Sequence, residues 1–387
     1  MSNYKFETTA IRTQSEQSQN REHSTPLYLT SSFTFESAEQ GAAIFSGEEK
    51  GNLYSRFSNP NTTEFIDKLC LLENCEAGIA TASGMAAVYT SFVALVQQGD
   101  HILASKDIFG NASYILTQIL PKMGVDCTLV EVDDEEAWSN GVQENTKIIY
   151  LETPSNPTLK IADLEFISRL AKANNISFLV DNCFASPYLQ QPANFGADLV
   201  IHSATKYIDG QGRVLGGAII GKQDLIQKCY DFIRRTGASL SPFNAWVLSK
   251  SLETLAVRMD RHCSNALKLA EWLEADTRVE NVSYPFLPSH AQHALATKQM
   301  KLGGGLVGFE IAGGVKQGKQ FLNQLNIFSL TANLGDCRSI ATHPASTTHS
   351  KLNSEEQLDM GITPGYLRLS VGLEHVDDLI TDLDQAL

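Results

Sequence analysis

Residues 147–206 read KIIYLETPSNPTLKIADLEFISRLAKANNISFLVDNCFASPYLQQPANFGADLVIHSATK. Within this stretch three short apolar runs, KIIYLET from Lys147, ISFLVD from Ile176 and DLVIHS from Asp198, are strand candidates. The amphipathic segment LEFISRLAKANN, from Leu164, separates the first two. Apolar strands alternating with helices predict a mostly parallel sheet covered by helices on both faces. Upstream the same alternation continues through AGIAT from Ala77, HILAS from His101 and CTLVEV from Cys127, with helix-like MAAVYTSFVALV and NASYILTQILPKM between them. Downstream, VLGGAIIG from Val214 predicts a further strand at the sheet's edge.

A single helical pattern is expected from about Pro242 to Asp276. Strand-like LVGFEIAG, helix-like KQFLNQLN, strand-like YLRLSVGLE and a closing helix HVDDLITDLDQAL follow it. The expected organisation is therefore a polar arm over residues 1–60, a larger α/β domain over 61–245 and a smaller α/β domain over 246–387, with no internal repeat.

Composition narrows the function classes. The chain has 387 residues, 43% of them hydrophobic, with 30 Lys+Arg against 44 Asp+Glu and a net charge of −14. Affinity for nucleic-acid backbones needs clustered basic charge, so no nucleic-acid partner is expected. No apolar run approaches the roughly 20 residues that span a bilayer, so no membrane partner is expected either. The N-terminus has no apolar core of the secretory kind. The seven cysteines are scattered without a CxxC and read as reduced thiols of a cytoplasmic protein. His290 and His293 have no third ligand nearby in the sequence, so no metal is expected.

In an open parallel sheet, ligands bind beyond the C-terminal ends of the strands. Three strand ends here carry polar residues. In TASGMAA, from Thr81, Gly84 and Met85 would open a helix and offer backbone N–H groups to an anion; taken alone, SGM reads better as a helix start capped by Ser83. Asp181 closes ISFLVD, where a carboxylate is costly unless paired; a cationic ring nitrogen and a simple turn explain it equally well. HSATKY follows DLVIHS, and strand alternation would place Ser203 and Thr205 on one face and Lys206 on another. A partly desolvated lysine is a better amine nucleophile and base. An anion cradle, a buried carboxylate and an amine at neighbouring strand ends together suit pyridoxal 5′-phosphate.

The motifs YSRFSNPN at Tyr54, SGMAA at Ser83, ETPSNP at Glu152, VDNCF at Val180, HSATKY at His202, HPASTTH at His343 and YLRLSVGLE at Tyr366 together resemble the Cys/Met-metabolism family of fold-type I pyridoxal-phosphate enzymes. The resemblance spans nearly the whole chain. QGRVLGGA from Gln211 and TANLGDCRSIATHPASTTH from Thr331 look most like its O-acylhomoserine sulfhydrylase branch, and the absence of a long insertion looks like the O-succinylhomoserine type.

Carried over residue by residue, the resemblance implies that Lys206 bonds the cofactor covalently and that Asp181 partners its ring nitrogen. It implies that Gly84, Met85, Ser203 and Thr205 hold the phosphate, that Phe109 stacks on the ring and that Asn156 contacts the ring's phenolic oxygen. Arg368 and Asn333, with Asn156, would bind substrate, Arg368 by clamping its α-carboxylate. Tyr54 and Arg56 would reach the phosphate of a neighbouring subunit, with Tyr54 taking part in catalysis, which implies a homo-oligomer, a tetramer built from dimers that share active sites.

Two departures from the family pattern carry information. Phe109 stands where many relatives have a tyrosine, so a proton-transfer role does not carry over to it. Ala332 stands where cystathionine-forming and cystathionine-cleaving relatives have a glutamate, which fits a small sulfur donor better than cysteine. The implied reaction is γ-replacement of the acyl group of O-succinylhomoserine by sulfide. Cystathionine γ-synthase, O-acetylhomoserine sulfhydrylase and methionine γ-lyase activities are the alternatives.

Overall fold

The computed structural model describes residues 4–348, 350 and 353–387. Seven strands form the first sheet: β1 (Ala77–Thr81), β2 (His101–Ser105), β3 (Asp126–Val130), β4 (Thr146–Glu152), β5 (Ser177–Asp181), β6 (Leu199–His202) and β7 (Gly217–Gly221). Their spatial order is β1-β7-β6-β5-β4-β2-β3. β3, β2, β4, β5 and β6 run parallel, whereas β7 is antiparallel to both β1 and β6. The alternation along these strands divides two cores. Ile149, Leu151, Phe178, Val180 and Val200 face one helix layer, and Ile148, Tyr150, Leu179, Leu199 and Ile201 face the other. Burial on both faces explains why the strands read as continuous apolar runs.

VLGGAIIG is a strand, but not an edge strand as the sequence suggested: β7 lies between β1 and β6, and β1 takes the edge. Every residue of β7 is buried. Its first glycine is needed there, because a Cβ on Gly217 would stand 2.3 Å from the Ser83 carbonyl oxygen.

The expected single helix from Pro242 to Asp276 is two helices, Pro242–Leu252 and Leu255–Ala275. Thr254, at φ −113° and ψ 6°, leaves the helical region. The Ser251 carbonyl is taken instead by the Thr254 N–H at 3.2 Å and by Nη2 of the buried Arg258 at 3.0 Å. NASYILTQILPKM is helical throughout but changes hydrogen-bonding pattern: an α turn at Gly110–Tyr114, a π turn at Ile115–Ile119 and a 3₁₀ turn at Leu120–Met123. Pro121 in the last turn has no N–H to continue an α-helix.

A second sheet holds β8 (Val279–Ser283), β9 (Leu306–Ile311), β10 (Ser329–Leu330), β11 (Ile340–Thr342) and β12 (Tyr366–Ser370), ordered β10-β11-β12-β9-β8. Leu269 and Leu273 of the Leu255–Ala275 helix, with Leu379 and Leu383 of the C-terminal Val376–Asp384 helix, pack in one core with Phe309 and Leu367. β12 carries Arg368. Among the described residues no helix is long and apolar enough to cross a membrane.

Candidate active site

A cavity of about 540 Å³ opens at the C-terminal ends of β4, β5 and β6, where the second sheet brings Arg368 against the first. Gly84, Met85, Phe109, Asn156, Asp181, Ser203, Lys206 and Arg368 all border it, as does Ala332.

The wall nearest β1 is the start of the Gly84–Val93 helix. Ser83 caps it, its hydroxyl accepting from the Ala86 N–H at 3.1 Å. A Cβ on Gly84 would stand 2.5 Å from Ser203 Cβ, so only glycine lets this helix end meet the turn after β6. The cap does not exclude an anion, since first-turn N–H groups have no partner within a helix and can take one.

β4 and β5 end in register, Glu152 beside Asp181. The Asp181 carboxylate accepts the Cys183 N–H at 3.0 Å and is only 8% exposed. Burial pushes its carboxyl up to about 6, against the opposing pull of the Cys183 N–H, His202 and the Tyr150 hydroxyl. A cation placed beside it would draw it back to the ionised form.

Strand alternation does not extend to Lys206. β6 stops at His202, and the chain coils, with the Lys206 N–H donating to the Ser203 carbonyl at 3.1 Å and the Gly210 N–H to that of Lys206 at 2.8 Å. The coil brings Ser203 and Lys206 to the same cavity and turns Thr205 away from its lining. The Thr205 hydroxyl bonds the backbone of Gly216, accepting from its N–H at 3.1 Å and donating to its carbonyl at 3.3 Å. Lys206 Nζ donates to Asn333 Oδ1 at 2.7 Å, so Asn333 meets the lysine directly. Burial holds the Lys206 ammonium below its ordinary value, and the Arg368 guanidinium pushes the same way.

Arg368 is buried and donates from Nη1 to Asn156 Oδ1 at 2.7 Å, while its buried Nε has no hydrogen-bond partner. A buried guanidinium with a donor left over is a site for an anion such as a carboxylate. Tyr54 and Arg56 do not border this cavity. Tyr54 is 44% exposed, and Arg56 stacks on Phe57 and donates to the Arg234 carbonyl.

Glu152 and Cys183 are among the lining residues to which the sequence gives no site role. Glu152 carries the signal that singled out Asp181, a carboxylate ending an apolar run. Cys183 borders the cavity with its thiol pushed far up by burial, which makes it an unreactive packing residue.

The model of the family described as Cys/Met metabolism PLP-dependent enzymes matches residues 7–387. The O-succinylhomoserine sulfhydrylase of Pseudomonas aeruginosa is 41% identical over 99% of this chain and 95% of its own length. An L-methionine gamma-lyase of Fusobacterium nucleatum is 44% identical over 94% of this chain and 92% of its own. A crystal structure described as an O-acetylhomoserine (thiol)-lyase of Campylobacter jejuni superposes with a TM-score of 0.95 at 36% identity, covering 99% of both chains, and carries N′-pyridoxyl-lysine-5′-monophosphate. The cavity fits that group: a helix start closed on Ser203 can take a phosphate, Asp181 a ring cation, and Lys206 is a desolvated amine lining the same cavity. A matched family model, full-length relatives above 40% identity and a cavity with these fittings lead to one conclusion: this chain belongs to the Cys/Met-metabolism PLP-dependent enzymes.

Proposed function

We propose that the chain catalyses γ-replacement, converting O-succinyl-L-homoserine and sulfide to L-homocysteine and succinate. The observation that carries this reading is the wall of the cavity: Lys206, Asp181 and Arg368 border it together with the methyl group of Ala332. At that position a small side chain leaves room for sulfide and offers no carboxylate to a cysteine amino group. Bound pyridoxal 5′-phosphate supplies the electron sink for charge developing at the substrate's α-carbon.

The protein's own residues supply the rest. Arg368 takes the substrate α-carboxylate on its planar fork, and Asn156 holds that fork in place. Lys206 removes the α-proton and returns protons to the carbon skeleton; a desolvated lysine is uncharged over more of the neutral range and so serves as a base. Asn333 holds the Lys206 amine between these transfers. Asp181 keeps a negative charge beside the cofactor's ring nitrogen. Gly84, Met85 and Ser203 hold the phosphate, with Thr205 fixing the turn behind them, and Phe109 packs on the ring. Tyr54 and Arg56 act in the site of a neighbouring copy, so the working unit is a homo-oligomer of the cytoplasm, a tetramer built from dimers that share active sites. The arm is residues 1–60, the cofactor domain 61–245 and the C-terminal domain 246–387.

Methionine γ-lyase activity is the second reading. It is favoured by the 44% identity to the Fusobacterium enzyme and by the apolar Phe109, Leu334 and Met360 in the cavity wall, which suit a thiomethyl group.

Product analysis by mass spectrometry separates the readings. The protein with cofactor receives O-succinylhomoserine, O-acetylhomoserine or methionine, with sulfide and cysteine in competition. Homocysteine formed fastest from the succinyl ester is expected. Faster turnover of the acetyl ester would reassign the acyl group, cystathionine would make the protein a cystathionine γ-synthase, and 2-oxobutanoate from methionine would make it a γ-lyase. Lys206→Ala is expected to abolish turnover and the absorbance of lysine-bonded cofactor together; substantial remaining turnover would refute the role of Lys206.

A further inference from the structure

Glu152 is 2% exposed, ends β4 and borders the cavity. Along β4 it shares a face with Tyr150, and across the sheet it pairs in register with Asp181. Two carboxyl groups side by side in a dry site are unfavourable unless each has a compensating partner. Asp181 has one in the Cys183 N–H. The partner of Glu152 is the backbone N–H of Phe109, which donates to Oε2 at 2.8 Å. That N–H belongs to the residue that begins the Gly110–Tyr114 helical turn, and no side chain caps the turn. Phe109 borders the cavity and is 41% exposed, so packing alone does not immobilise it.

We propose that Glu152 is a positioning residue: by accepting the Phe109 N–H it ties the loop between β2 and the Gly110–Tyr114 turn to the end of β4, and so fixes the aromatic wall against which the cofactor ring lies. The proposal rests on the cavity holding the cofactor and is independent of which substrate is turned over. The requirement is an acceptor oxygen at this place, which a glutamine side chain also provides. Burial and the neighbouring Asp181 both push the Glu152 carboxyl well above its ordinary value, in keeping with a contact that needs no negative charge.

The test is amide hydrogen exchange of the full chain with and without pyridoxal 5′-phosphate, in the parent, Glu152→Gln and Glu152→Ala. In the cofactor-free Glu152→Ala protein, peptides covering residues 106–114 are expected to exchange about tenfold faster or more, the signature of a local opening. Peptides covering 177–185 should not change, and Glu152→Gln should match the parent. Affinity of the cofactor-free proteins for pyridoxal 5′-phosphate, read by fluorescence titration, should fall on the order of tenfold in Glu152→Ala, the worth of one charge-free hydrogen bond, and stay near the parent in Glu152→Gln. Parent-like exchange at 106–114 in Glu152→Ala overturns the proposal. So does accelerated exchange over the whole sheet, or a Glu152→Gln protein as altered as Glu152→Ala. Should Glu152→Ala fail to fold, Glu152→Met fills the same volume without an acceptor and is judged by the same outcomes. Because exchange in the cofactor-free protein reads the contact itself, a wrong substrate assignment would leave these results untouched.

Discussion

Asp181 shows how one residue couples the fold to the chemistry. Its carboxyl is raised by burial to about 6, from 3.8, so in the cofactor-free protein the fold favours its protonated form. The consequence for stability follows from linkage. Below about pH 4 the carboxyl is protonated in both folded and unfolded chains and its burial carries no ionisation cost. Above about pH 6 the folded chain must hold it ionised in a dry site, and stability is lost across that window. Asp181→Asn keeps an acceptor for the Cys183 N–H but cannot ionise. Without cofactor it is expected to be more stable than the parent at pH 8, by up to about 3 kcal/mol, with the difference shrinking toward zero near pH 4. Thermal melts across that range check it, and a parent at least as stable as Asp181→Asn at pH 8 would show that burial does not penalise this carboxylate. With cofactor the order should reverse, since the ring cation then partners the charge. On its own such a residue is not legible in a sequence, since a turn explains the carboxylate that ends ISFLVD equally well; it becomes so only beside the helix start at Gly84 and the amine of Lys206 at neighbouring strand ends. Thr205 shows the limit: its hydroxyl reads as an anion ligand, but the coil after His202 aims it at Gly216, and no periodicity survives the end of a strand.

At the scale of elements, the turn carrying Lys206 is held from behind by the Leu255–Ala275 helix. Arg258 donates to the carbonyls of Tyr207 at 2.6 Å, Ile208 at 3.1 Å and Ser251 at 3.0 Å, with Nε to Thr254 Oγ1 at 3.3 Å. One guanidinium thus links the lysine's coil to the break between two helices. Arg258→Ala would strand these buried acceptors, and a loss of about 3 kcal/mol or more is expected, read as a lower denaturant midpoint with cofactor absorbance lost in parallel. An unchanged midpoint would mean that water replaces the guanidinium. This element also explains why the helix break escaped the sequence: Thr254 is neither glycine nor proline, and the break is set by an arginine four residues on and by carbonyls some fifty residues away. The Pro60–Glu73 helix escaped for a related reason. Its Glu64, Lys68 and Glu73 are all buried, so polar residues lie on the packed face as well as on the solvent face with Thr63 and Asp67. Lys68 Nζ donates to Ser249 Oγ at 3.1 Å, and Glu73 meets His202 Nε2 and Asn182 Nδ2 at 2.7 Å each. Burial of charge among hydrogen-bonding partners erases the pattern by which helices are read. The parallel strands had no such disguise.

At the scale of the whole molecule, the cavity of one chain has a desolvated lysine, a buried carboxylate and an arginine, yet Tyr54 and Arg56 lie outside its lining. Tyr54 is exposed, and the Arg56 guanidinium lies 5.7 Å from its ring centroid and 4.7 Å from that of Phe57. Tyr54 and Arg56 therefore stand where a second copy of the chain could meet them. If these residues complete the site of a second copy, subunits complement one another. Lys206→Ala chains lack the amine but carry an intact Arg56, and Arg56→Ala chains carry the amine but lack the guanidinium. Each protein alone should be nearly inactive. Mixed as unfolded chains in equal amounts and refolded with cofactor, half of the resulting dimers are hybrids, and each hybrid has one site built wholly from parent residues. Activity should therefore return to roughly a quarter of the parent's, as expected for an isologous pair with two shared sites. The same mixture assembled from separately folded proteins should gain activity only as fast as subunits exchange. If each chain instead builds its site alone, no mixture can exceed the average of its two components, and Arg56 would have to act within its own chain or not at all.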